Sequence, residues 1–157
     1  MPRSKKIFFL ISLLIIIGLF VLNAKSANPN NQPYYNAKRL YEKTLLALKT
    51  NPEKKLDYQL SLLDKRLSEL SFIVLNGKSE HILKTSLRNS TTAGQSTEQV
   101  INNNLKGRSD GVKQKLESHL KVVDNLVANY PKDDGQKKFV IDASNYLKTY
   151  IIQLTTN

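Results

Sequence analysis

Few residues in this chain have the types and spacing that chemistry needs, and most of them lie in one stretch. Between Tyr35 and Leu70 the sequence places Tyr35, Lys38, Arg39, Glu42 and Lys43 ahead of Arg66 and Glu69. Guanidinium, ammonium and carboxylate groups at three- and four-residue spacing share a helix face and can form ion pairs. Two roles are open to these seven residues. They could form a recognition surface for a partner, or an inter-helix lattice that sets register, as charges flanking a coiled-coil seam do. Lys38–Asp64 and Arg66–Glu69 are the pairs expected for a lattice.

Catalytic and metal-binding patterns are absent from the sequence. The chain has no cysteine and two histidines, His81 and His119. They fall on different expected helices, outside any HxxH or HExxH spacing, so each is read as an ordinary half-buried or exposed histidine and no metal site is assigned. No glycine-rich phosphate loop, nucleophile elbow or acidic dyad appears, so no catalytic or cofactor-binding residue is assigned either. Tyr34 and Tyr35 read as a staple for the first helix. Asn89-Ser90-Thr91 is a glycosylation sequon, meaningful only in a glycosylating secretory route.

The N-terminus sets the expected address. MPRSKK precedes Ile7 to Leu22, sixteen residues without a charge. Basic residues followed by an apolar run form the layout of an export signal. As a helix, Ile7 to Ala24 would be about 27 Å long, close to the hydrocarbon thickness of a bilayer. We read residues 1–24 as an uncleaved signal anchor, with secretion after cleavage as the alternative. The early positive charges keep the N-terminus in the cytoplasm and place the rest outside, as a single-pass protein of the cell membrane. Residues 25–33, with two prolines and no periodicity, read as a linker. Residues 34–157 read as an extracytoplasmic helical domain.

Net charge is +11, and residues 27–157, with 20 Lys and Arg against 13 acids, retain +7. That charge suits anionic lipid or wall polymer, but it is interspersed along the chain in the manner of solvated helices. Export argues against nucleic acid as a partner.

The elements that must position the candidate residues are helices. Ala37, Leu40, Tyr41, Leu45 and Leu48 form one face of a first helix. Leu56, Leu60, Leu63, Leu67, Leu70 and Val74 make a heptad seam on a second. Asn51 and Pro52 suit the N-cap and first helical position, so the second helix restarts after a tight turn and folds back on the first. Asn76-Gly77 ends it. A third helix opens at Ser79 and carries Leu83, Leu87, Ile101 and Leu105 on its expected face. Its middle, NSTTAGQST, is expected to be loose near Gly94, or a loop. KGRSDG, residues 106–111, reads as a turn. A fourth helix then carries Val112, Leu116, Leu120, Val123, Val127 and Tyr130, and a fifth carries Phe139, Ala143, Tyr146, Leu147, Tyr150 and Leu154. The fold class is therefore all-α, a membrane helix followed by an elongated antiparallel bundle of about five helices.

The stretch also resembles a known family. Pro33, Tyr35, Lys38-Arg39, Glu42-Lys43, Leu46-Ala47-Leu48, Pro52-Glu53-Lys54-Lys55, Arg66-Leu67 and Glu69 follow the KRxxEK, LAL, PEKK, RLxE pattern of an uncharacterised helical domain family of membrane-anchored or exported bacterial proteins. His119-Leu120, Pro131 and Ala143 match more loosely. The family implies no reaction. Association of relatives with regulators of extracytoplasmic sigma factors implies envelope regulation and transfers no residue role. Together these readings give a non-enzymatic domain that binds a protein partner or itself. An exported chaperone or stress sensor and a binder of anionic envelope polymer or lipid are the alternatives.

Overall fold

The computed structural model describes residue 29, residues 32–130 and residues 135–156. The expected anchor, residues 1–24, lies outside the described residues, and none of the described helices is long and apolar enough to cross a membrane. The described chain is all-helical. Five α-helices follow one another: α1 Gln32–Ala47, α2 Pro52–Leu75, α3 Ile82–Asn102, α4 Lys106–Ala128 and α5 Lys137–Thr156. A short 3-10 turn, Ser79–His81, leads into α3. By contacts the chain divides into two compact units, residues 1–48 and 49–157.

In the first unit, α1 does not bury the face expected of it. Leu40 and Leu48 stand in solvent, whereas Tyr35, Lys38 and Glu42 are buried. The buried positions are spaced three and four apart, a helical stripe built from an aromatic and two charged residues rather than from leucines.

The second unit is a four-helix bundle. The start of α2 is locally determined. Asn51 is extended, its side chain accepts the Lys54 amide at 3.0 Å, Pro52 takes the first helical position, and Glu53 sits in the first turn. At the other end Gly77 has φ 63, the Lys78 amide reaches the Ile73 carbonyl and the Gly77 amide that of Val74. This paired closure satisfies the last free carbonyls and needs a left-handed residue, which glycine adopts without strain.

Helix directions follow from bonds between the ends. Gln99 Nε2 donates to the Pro52 carbonyl, so α3 runs back along α2. Arg108 meets Asp57, and Lys115 and His119 meet Asp64, so α4 lies alongside α2 in the same direction. Ser109 donates to the Leu154 carbonyl near one end, and Ser144 to Asp124 at 2.5 Å near the other, so α5 is antiparallel to α4. The core runs through Leu56, Leu63, Leu70, Ile73, Val112, Leu116, Val123, Val140 and Leu147. The heptad seam of α2 is thus largely internal, with Leu60, Leu67 and Val74 at its partly buried margin.

Three expectations are corrected here. The centre of the third helix is neither loose nor a loop, because α3 is continuous from Ile82 to Asn102. Its buried face is Thr85, Ser86, Asn89, Ser90, Ala93, Gly94, Ser96, Thr97 and Val100, while Leu83 and Leu87 face solvent. Small side chains let neighbouring helices approach closely. Gly94 is the clearest case, since a Cβ there would meet the Tyr150 hydroxyl at 2.8 Å. Lastly, KGRSDG is not a turn but the first six residues of α4. The turn falls earlier, at Asn103–Leu105, where Asn104 takes φ 52 and the Leu105 amide reaches the Val100 carbonyl. Asparagine tolerates that left-handed conformation. The glycine-containing start of α4 is held by Arg108 on Asp57 and Ser109 on the end of α5.

Candidate functional site

The residues singled out in the sequence fall into separate groups in the two units. Within α1, Arg39 Nη1 lies 3.1 Å from Glu42 Oε2, an i,i+3 pair on successive turns. Lys38 Nζ stands 5.6 Å from the centre of the Tyr35 ring, a cation–π contact in reach of the i,i+3 geometry. Lys43 is exposed beside Leu40. Tyr35, Lys38 and Glu42 are therefore structural in character, and Lys43 alone of the α1 set lies fully open to solvent.

Within α2, Arg66 and Glu69 form the expected pair, Nη1 to Oε2 at 2.5 Å. What periodicity did not indicate is the depth of this pair. Arg66 is the largest wholly buried side chain and Glu69 is buried with it. Sequestering a guanidinium costs several kcal/mol, and the Glu69 carboxylate one turn on offsets part of that cost.

A third group was missed. On the α2–α4 seam, Asp64 accepts from Lys115 Nζ at 2.7 Å through one oxygen and lies 2.9 Å from His119 Nε2 through the other. His119 is buried, and its Nδ1 has no hydrogen-bond partner among the described residues. Burial pushes the His119 imidazole below its ordinary value; Asp64 opposes this in part and the Lys115 charge reinforces it. For Asp64 burial acts upward, but the bonds and charges of Lys115 and His119 outweigh it and hold the carboxyl below its usual range. The sequence signal was slight. Lys115 and His119 lie four apart on one face, but their carboxylate comes from fifty-five residues away.

The histidines do not meet as a pair. His81 lies next to Glu80 in the 3-10 turn at 3.4 Å, whereas His119 sits on Asp64. Among the described residues no group of three or more His, Asp or Glu side chains could hold a metal ion. The sequon asparagine, Asn89, is wholly buried in mid-helix, out of reach as a glycosylation acceptor in the folded chain. A cavity of about 300 Å³ opens at the far end of the bundle. It lies between Val100, Ile101 and Leu154, with Lys106 at its edge.

The described residues place the chain in the all-α class, as a helical bundle. More specifically, the chain belongs to the family described as a domain of unknown function (DUF5667), which matches residues 28–133. No curated protein and no solved structure matches it.

Proposed function

We propose that this chain is a non-enzymatic, membrane-anchored domain, displayed outside the cytoplasm, that works in envelope regulation by binding a protein partner. The observation that carries the reading is the outward face of α1. Leu40 is 69 % exposed at the centre of the helix, with Lys43 exposed three residues on. The opposite stripe of the same helix, Tyr35, Lys38 and Glu42, is buried. An apolar side chain beside an exposed cation, on a helix whose opposite stripe is buried, suits a protein ligand with a complementary acid. The anchor comes from the sequence, in the basic hexapeptide and the sixteen uncharged residues after it. The polar middle of α3 is packed inside the bundle and offers no partner surface.

Crosslinking tests the reading. A photoreactive residue replacing Leu40 in the full chain, irradiated in intact membranes, is expected to give a discrete adduct. Lys43→Glu should abolish that adduct, and the same probe at Leu63 in the core should give none. A chain that is washed from membranes by alkali, or one recovered only as monomer with no co-purifying protein, would overturn it.

A further inference from the structure

The placement of leucines on α3 is inverted. Its packed face is mostly small and polar, with Ile82, Ala93 and Val100 as its apolar members, while Leu83 and Leu87 are 50 % and 58 % exposed. These two leucines lie one turn apart on a single face. Leu75, the last residue of α2, is 75 % exposed and joined to them through the short connection 76–81. The same corner is basic. From Leu75 to Leu87 it carries Lys78 and Lys84 against Glu80, and both lysines are exposed. Glu80 lies against His81, on the 3-10 turn rather than among the leucines of α3.

We propose that this α2–α3 corner docks on the anionic surface of a lipid bilayer. Leu75, Leu83 and Leu87 would enter the headgroup region, and the exposed Lys78 and Lys84 would meet lipid phosphates. Exposed apolar side chains interleaved with lysines are the pattern of an interfacial helix, where apolar burial and attraction to anionic lipid act together. A protein partner would supply acids at a few fixed points. A bilayer supplies a continuous negative plane, and that suits two exposed lysines spread along a corner that also exposes three leucines.

Tethering favours the same occupant, and this part of the argument rests on the anchor of the proposed function. The seven residues 25–31 span at most about 25 Å fully extended. The sixteen residues of α1 span about 24 Å. Lys49, where the bundle begins, therefore stays within roughly 55 Å of the bilayer, and the 24 residues of α2, about 36 Å long, keep the corner within reach of lipid at a raised effective concentration.

The chain contains no cysteine, so Leu87→Cys provides a single thiol for an environment-sensitive nitrobenzoxadiazole label. The labelled full chain is reconstituted into phosphatidylcholine vesicles with and without phosphatidylglycerol. We expect a several-fold rise and blue shift in emission only with the anionic lipid, quenched by a lipid-phase nitroxide and weakened by salt. The paired change Lys78→Glu and Lys84→Glu should remove it without altering the melt. A label at exposed Gln114 should stay unchanged, and a label at Leu83→Cys guards against a folding defect at 87. Equal emission in both lipids, or an equal response at 114, would overturn the docking. A response in neutral vesicles that grows with protein density would overturn it in favour of a second copy. Flotation with the neutral vesicles reports the anchor separately. Should the chain fail to float there, the anchor reading fails. The corner is then judged by adding the chain to anionic vesicles from solution, where binding lost on Lys84→Glu supports it and absence of binding refutes it.

Discussion

Replacing Gly94 by alanine sets two known effects against each other, and the structure decides their sum. In a helix interior alanine is favoured over glycine by about 1 kcal/mol. Against this, the new Cβ would lie 2.8 Å from the Tyr150 hydroxyl oxygen and 2.9 Å from its ring carbon Cζ. Normal contact requires the ring to retreat by roughly 0.5–1 Å, and overpacking of this kind costs about 1–3 kcal/mol. The ring is also stacked on Tyr146, with centroids 6.3 Å apart, so its retreat would change that contact. The expected net effect of Gly94→Ala is a loss of about 1 kcal/mol, or roughly 3–5 °C in Tm for a domain of this size. With Tyr150→Ala already present the clash is gone, and the same substitution should stabilise by about 1 kcal/mol. The two sites are thus coupled by about 2 kcal/mol in a double-mutant cycle read by circular dichroism melts. A second readout is the phenol itself. Burial, then Tyr146 and Glu98, raise the Tyr150 pKa, so its ultraviolet titration should fall toward that of an ordinary tyrosine in Gly94→Ala. If Gly94→Ala raises Tm equally in both backgrounds, the close approach of α5 to α3 does not exist as described.

Two further outcomes concern the buried charges. Glu69→Ala should destabilise by about 3–5 kcal/mol in a urea titration, because it leaves the Arg66 guanidinium in the interior without its carboxylate one turn on, and Glu69→Gln should cost less. On the α2–α4 seam, His119 titrates lower in the folded chain than in the unfolded one, whose reference value is 6.5. The unfolded state therefore takes up its proton first as pH falls, and stability should begin to drop below about pH 6.5, with His119→Gln removing that slope. Asp64, also depressed, should add a second loss as pH falls below 3.8, so a flat urea-stability profile between pH 7 and 5 would contradict the buried seam.

How much of this was legible in the sequence depends on how far apart the deciding residues are. The Asn51-Pro52 restart and the Asn76-Gly77 stop were readable because a cap is made within four residues by the chain's own amides. The Arg66–Glu69 pair was readable for the same reason, since an i,i+3 contact is local geometry. The heptad leucines of α2 marked an internal seam because large apolar groups at that spacing have one favourable place to go.

The errors share the opposite character. Reading α3 by its leucines pointed to the wrong face, because the sequence does not say whether a small side chain borders solvent or a close neighbour; the Tyr150 ring over Gly94 does. KGRSDG has the composition of a turn, and only partners fifty-one and forty-five residues away hold it as helix. Likewise His119 read as an unremarkable histidine until Asp64, fifty-five residues earlier, came to lie against it. By itself, then, the sequence determined the helical class, the ends of α2, the α2 seam and the Arg66–Glu69 pair. The tertiary structure decided which face each helix buries and how deeply each charge sits. Those outcomes depend on the distance between surfaces of different helices, which no local spacing encodes.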